Sequence, residues 1–245
     1  KENFESFKKR WAKRLADPTY KRLARTASMG CDFALSLKDS TVMAAVQLLD
    51  ISINRPHIEF SPIILDEDHI IYGSLRIDSL NLYAIEDIDS SKVPMRKFYT
   101  AERVAGQWMD TGELIGPINQ ADSHIGNGVI REDGSRIYFT RCAKNWKGTV
   151  ICELYYADKD KTGWIPAVRM NDLVNMPNFT TTQPAIGRES KKNQEVIYFA
   201  SDRPGGKGGM DIWYTEFRER QGEFREPRNV GSKVNTVGTE FTPYY

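Results

Sequence analysis

Four apolar-asparagine pairs recur along this chain at near-regular intervals, and they limit its fold more than any other feature. They are Ile53-Asn54, Ile118-Asn119, Val174-Asn175 and Val234-Asn235, with the asparagines 65, 56 and 60 residues apart. A second marker follows each pair: Pro62, Asn127, Pro184 and Pro243. A third is an apolar strand, HIIYGS, RIYFTR and VIYFAS, centred on Tyr72, Tyr138 and Tyr198. A fourth is an aromatic strand with Tyr99, Tyr155 and Tyr214. The fifth is a glycine just ahead of an aromatic: Gly106 with Trp108, Gly163 with Trp164, Gly222 with Phe224. Five markers in one order, three times over, define a repeat of about sixty residues, near the upper end for propeller blades.

Each repeat reads as four antiparallel strands. The first carries the Pro or Asn marker, as in residues 61–65. The IYF-type strand and the aromatic strand follow, and the fourth starts at the Gly-aromatic turn. Turn residues separate them, including Glu132-Asp133-Gly134 and the run from Pro204 to Gly209. Short strands with periodic Gly and aromatic markers are the signature of a β-propeller. One such sheet cannot bury both faces, whereas stacked neighbours can. The expected fold is therefore mainly β: a propeller of four-stranded antiparallel blades, three repeats plus the start of a fourth. It is expected to be part of a larger ring, because the chain stops at Tyr245 inside a first strand and opens without Met.

Residues 1–40 differ in character and are expected to be a short α-helical leader, the end of a helical-repeat domain, with the propeller over 41–245. Phe4, Phe7, Trp11 and Leu15 give one apolar helical face. Asp17-Pro18 breaks it, and a second helix is expected over 19–36. The first 25 residues hold nine Lys or Arg against three acids. Lys9, Arg10, Trp11 and Arg14 are candidate contact residues for an acidic partner or a membrane surface. The plainer reading is a solvated basic face. The stretch VMAAVQLLDISIN is expected to supply an outer strand.

Net charge is +1, which excludes a nucleic-acid partner of the polyelectrolyte kind. No run of about 18 apolar residues is present, so no direct membrane span is expected. The three histidines, His57, His69 and His124, sit in no metal spacing, and Cys31, Cys142 and Cys152 fit no zinc pattern. No nucleophile elbow is readable. No catalytic residue, cofactor or metal is accordingly expected. Gly205 to Gly209 and Asp66-Glu67-Asp68 read as hairpin turns, not phosphate or calcium loops. Cys142 and Cys152 fall on two arms of one hairpin; two part-buried thiols are the favoured reading and a disulfide the other. Ser201, Asp202, Arg203 and Asp211 form the sharpest polar cluster. One reading faces them to a partner. The favoured one has Asp202 capping its turn and Arg203 pairing Asp211 across the hairpin.

The run FASDRPGGKGGMDIWYTEF, followed by GEFREPRNVGSKVNTVGTEFTP, resembles TolB or WD40-like propeller repeats of Bacteroidetes OmpA-family outer-membrane-associated proteins. It is most similar to those of PorE-type lipoproteins of the type IX secretion and gliding machinery. The second repeat departs from the pattern, with Thr140-Arg141-Cys142 in place of Ser-Asp-Arg. The resemblance implies a non-enzymatic periplasmic scaffold associated with the outer membrane. It implies other envelope or secretion-system proteins as partners, a lipid anchor in the parent protein, and peptidoglycan reached only through a domain outside this chain. The alternative is the propeller of a hydrolase, a peptidase or glycosidase. Converging carboxylates at the starts of the first strands would mark it, with Glu59, Asp122 and Glu240 as the candidates.

Overall fold

The computed structural model describes residues 2–11, 18–38, 46–55, 58–76, 94–189, 194–218 and 220–245. It divides into two units, Lys1–Gln47 and Leu48–Tyr245. Arg14 and His57 lie outside the described residues.

The first unit holds two helices, α1 (Glu2–Trp11) and α2 (Pro18–Leu37). Proline opens α2, where a missing N–H costs nothing. Ala24 and Ser28 of α2 are buried, and the Ser28 hydroxyl donates to Glu5 Oε1 at 2.9 Å. Leu23, Met29 and Phe33 stay exposed. No described helix is long and apolar enough to cross a membrane.

The second unit is built of three antiparallel sheets whose strands follow chain order. The first sheet is β1 (Ile58–Ile64), β2 (His69–Leu75), β3 (Lys97–Val104) and β4 (Gln107–Glu113). The second is β5 (His124–Ile130), β6 (Arg136–Lys144), β7 (Val150–Asp160), β8 (Gly163–Trp164) and β9 (Val168–Arg169). The third is β10 (Thr181–Glu189), β11 (Gln194–Ser201), β12 (Asp211–Arg218), β13 (Glu223–Phe224) and β14 (Arg228–Asn229). The fourth strand expected of each repeat is thus split in the last two sheets. Pro166 and Pro227 stand at the breaks, where a residue without an N–H interrupts a ladder. Residues 46–55 form no strand. Asp50 instead accepts the N–H groups of Ile53 and Asn54 in a turn, so the outer strand expected there is not seen in the described part.

Apolar cores fill the spaces between sheets. Ile71 and Phe98 of the first sheet meet Ile125, Ile137 and Phe139 of the second. Tyr138, Leu154 and Met170 of the second meet Ile197, Phe199 and Phe224 of the third. Adjacent residues of β6 therefore serve opposite faces, as the two-residue strand period requires.

The asparagine markers have a common structural purpose. Asn119 accepts from the Phe98 N–H at 3.0 Å and donates to the Phe98 carbonyl at 2.9 Å. Asn175 treats Leu154 the same way, both at 2.8 Å, and Asn235 treats Ile212 likewise at 2.8 and 2.9 Å. Each side chain ties the turn after one sheet's last strand back to the third strand of that sheet. It mimics a missing strand partner, which a buried peptide group needs.

Left-handed backbone sets the true alignment of the repeats. Ser61, Asn127 and Gln183 have φ of 49°, 48° and 58°, and Thr242 has 50°. The first three sit in β-bulges of β1, β5 and β10. A proline follows three of the four, and Gly128 the other. Asn127 thus aligns with Ser61 and Gln183, one place off the Pro marker read from the sequence. Past each bulge, Ile63 pairs Ile71, Val129 pairs Tyr138 and Ala185 pairs Tyr198. Ile71, not Tyr72, is hence the counterpart of Tyr138. By the same ladder, Tyr99 and Tyr155 match Trp213, not Tyr214. One residue of slip turns a side chain to the other face, so these corrections decide which side chains fill which core.

Candidate functional site

The Ser201–Asp211 cluster is structural throughout. Asp202 Oδ1 accepts the Thr180 N–H at 2.7 Å, tying its turn to the entry of β10. Arg203 is 7% exposed. It donates to the Leu173 carbonyl, to the Val174 carbonyl, to Thr181 Oγ1 and to Ser201 Oγ. Its guanidinium lies 4.9 Å from the Phe199 ring centre and 5.4 Å from that of Trp213. Burial pushes its pKa down to about 10, against the pull of Glu226 and Asp202. The expected Arg203–Asp211 pair is corrected: Asp211 instead accepts from the Lys207 and Gly208 N–H groups and from Asn229 Nδ2. Its carboxylate fills the Pro204–Gly209 turn, where Gly208 runs so close to the Gly238 carbonyl that a Cβ does not fit. On α1, Lys9, Arg10 and Trp11 are exposed. They belong to the first unit and the Ser201 cluster to the second.

The same cation site recurs with different residues. Arg76 lies 3.7 Å over the Tyr99 ring, and Arg141 lies 4.2 Å over Tyr155 and 5.7 Å from Phe139. Arg141 starts two strand positions before the counterpart of Arg203, yet its guanidinium reaches the same aromatic pair. It donates to the Ile118 carbonyl at 3.3 Å, as Arg203 does to Val174. The departure of the second repeat from Ser-Asp-Arg keeps the cation and moves its origin.

A cleft of about 330 Å³ lies beside the starts of β5 and β10, with Arg141 in its lining. Its lining includes Gln120, Arg141, Lys144, Trp146, Glu153 and Asn178. The β6–β7 hairpin forms one wall. Cys142 and Cys152 face each other across it and form a disulfide, with Cα atoms 4.0 Å apart. The favoured sequence reading, two free thiols, is corrected by this pairing. Asn145 Oδ1 accepts the N–H groups of Lys147 and Thr149 at the tip. Gly148 takes φ 79°, a conformation glycine adopts freely. This braced turn presents Trp146, which is 87% exposed, with Lys147 Nζ 4.9 Å from its ring centre. Glu153 is held by Arg169 through Nε and Nη2, at 3.0 and 2.7 Å. Sequence reading missed this site. The signal available was a tryptophan between Asn145 and Gly148, flanked by two cysteines ten residues apart.

A larger hollow of about 710 Å³ lies at the opposite ends of β5 and β10. Its charges are spent on one another: Arg131 grips Glu195 with two bonds, Tyr138 donates to Glu195, and Arg188 pairs Glu132. The smaller cleft has the exposed ring and the unspent groups, so it is the better candidate. Among the expected carboxylates, Glu59 accepts from Ser74 at 3.4 Å, Asp122 from Ser123 at 3.1 Å and Glu240 from Thr236 at 2.6 Å. Each is engaged within its own neighbourhood. The described residues hold no cluster of three or more potential metal ligands.

No protein-family model matches the chain, and no curated protein does. Solved structures do match. One is a protein of unknown function from Dyadobacter fermentans, with 13% identity, 71% of this chain and 51% of that one covered, and a TM-score of 0.47. Another is a β-xylosidase, with 13% identity, coverage of 76% and 65%, and a TM-score of 0.45. A third is a thermostable family-43 glycoside hydrolase, with 12% identity, coverage of 72% and 56%, and a TM-score of 0.44. The chain spans between about half and two thirds of the length of these structures. These matches correct the expected resemblance to TolB, PorE-type and OmpA-family proteins, none of which they include. The secretion-scaffold assignment falls with it. The non-enzymatic reading is corrected on the same finding, because the matched structures of stated activity are glycoside hydrolases.

Proposed function

We propose that this chain is a propeller segment of a glycoside-hydrolase-type protein, and that the cleft under the β6–β7 hairpin holds a saccharide. The observation that carries this is Trp146: a large ring left in solvent on a disulfide-braced turn, at the mouth of a polar cleft. A tryptophan ring offers a large, rigid, amphipathic face for a contact. A flat ring suits the C–H face of a sugar, and Gln120, Asn178 and Glu153 offer the donors and acceptors its hydroxyls need. Glycoside cleavage needs two carboxylates. The cleft lining holds one, Glu153, bound to Arg169. The residues named here are therefore assigned to holding sugar, not to cutting it.

The three sheets are read as blades of a larger ring. The left-handed Thr242 beside Pro243 supports this, since it repeats the first-strand signature a fourth time, and its N–H donates to Gln183 Oε1 at 2.8 Å. The disulfide supports an oxidising compartment such as the periplasm or the exterior.

Titration with a panel of xylan, arabinan and pectin oligosaccharides, followed by Trp fluorescence and calorimetry, tests this reading. Binding by the native chain and a loss of about tenfold or more in Trp146→Ala is expected, of the size seen for buried aromatic anchors. Absence of binding to every member of the panel would overturn it.

A further inference from the structure

We infer that the saccharide this cleft takes is acidic, carrying a carboxylate that Arg141 receives. This rests on the saccharide reading above and specifies its substrate class. The carrying observation is a missing counter-ion. Arg141 is 9% exposed, and its Nε has no hydrogen-bond partner. Its Nη2 donates to the Ile118 carbonyl at 3.3 Å. A charge buried to that degree needs a partner.

The residue placed to provide one is Glu153, which faces Arg141 directly across the β6–β7 ladder. Its carboxylate is turned to Arg169 instead. The counterpart cations spend their terminal nitrogens within the fold, although the Arg76 Nε is likewise without a partner. Arg76 grips Asp110 with both terminal nitrogens at 2.8 Å. Arg203 spends its donors on the two carbonyls and two hydroxyls described above. Of the three, Arg141 alone lines the cleft, and no carboxylate among the described residues pairs with it. More positive charge stands nearby. Lys144 lines the same cleft, and Lys97 Nζ is bound to the carbonyl of the cleft residue Ser123 at 3.2 Å. Burial lowers the Lys97 pKa, with Glu113 and Asp122 opposing and Arg141 adding to the effect.

An anion here would give the Arg141 guanidinium a counter-charge and meet Lys144, while the sugar ring rests on Trp146. A uronic acid has both parts: a carboxylate on a pyranose ring. The planar guanidinium is suited to receiving a carboxylate. A neutral sugar would leave the Arg141 donor bare, which is the way a polar site discriminates.

The test compares trigalacturonate with its fully methyl-esterified form, which keeps the shape and removes the charge. Binding of both to the full chain is measured by calorimetry at low and high salt. The acid should bind about tenfold tighter at low salt, with the gap narrowing as salt rises. Lys144→Gln should reduce the gap several-fold, and Arg141→Gln should close it. Trp146→Ala should weaken both ligands alike. Lys144 is exposed, so its variant keeps the test valid where Arg141→Gln fails to fold. Equal binding of acid and ester, both lost in Trp146→Ala, would overturn the acidic assignment and leave the saccharide reading standing. Failure of both ligands, together with the wider panel, would overturn the two together.

Discussion

At the scale of single residues, the asparagine markers make the clearest energetic claim. Asn175 is 1% exposed and bonds the Leu154 N–H, the Leu154 carbonyl and the Met170 carbonyl. Truncating it strands a buried donor and two acceptors. Asn175→Ala should cost about 2–4 kcal/mol by urea unfolding, since each stranded group costs about 1–3 kcal/mol and some are recovered by water. Asn54→Ala should cost well under half of that, because Asn54 is exposed and its side chain donates to the Leu49 carbonyl. Equal losses would contradict the account.

The two described histidines make a second claim at this scale. The Asp66 carboxylate raises the His69 pKa above its usual value of 6.5. Burial lowers that of His124, and Arg96 and Lys97 beside it add to this. The raised group favours the folded state at low pH, and that contribution is lost as pH rises through its folded pKa. The depressed group does the reverse: its folded form is neutral, so stability falls as pH drops below 6.5. NMR titration should find His69 protonating at a higher pH than His124. The opposite order would refute both environments. The asparagine spacing was plain in the sequence, because a side chain that replaces a strand partner can sit at one place only. The tyrosine markers were not, because Tyr72 and Ile71 differ by one position and a strand's two faces look alike as text.

At the scale of elements, the β6–β7 hairpin departs from its counterpart in the third sheet. The third-sheet hairpin bends through a glycine run closed by Asp211. This one is closed by a covalent bond and by Asn145. The disulfide joins residues ten apart. A small loop of this kind gains about 2–3 kcal/mol from cross-linking. Cys142→Ser with Cys152→Ser should lower stability by about that amount and weaken saccharide binding, because the turn that holds Trp146 loses its brace. The check is thermal unfolding and calorimetry with and without reductant. Unchanged binding in the double variant would show that the hairpin is ordered without the bond. The pairing was half-legible: two cysteines on one predicted hairpin allow it, but only the register, Cys142 opposite Cys152, makes it form. The split of the fourth strands could have been read from Pro166 and Pro227. The bulges could not, because Ser61, Asn127, Gln183 and Thr242 share a backbone angle and no chemistry.

At the scale of the whole molecule, the repeat made the sheets legible and the function illegible. Residues such as Arg203 and Asp211 stand out in a sequence because they belong to a repeat pattern, and their bonds are made within the blade. The candidate site lies where the repeat is broken. Arg141 replaces the usual arrangement, the hairpin is stapled and Trp146 has no counterpart in the described turn of the third sheet. Fold alone does not define activity, and the glycine- and aspartate-rich run that suggested a secretion scaffold describes a hairpin, not a trade.

The most direct measurement is a glycan array probed with the native chain and with Trp146→Ala in parallel. The account predicts that the native chain binds a set of plant-type or acidic oligosaccharides and that the variant loses that set while unfolding at the same temperature. Identical array profiles for the two proteins, or no glycan bound by either, would contradict it.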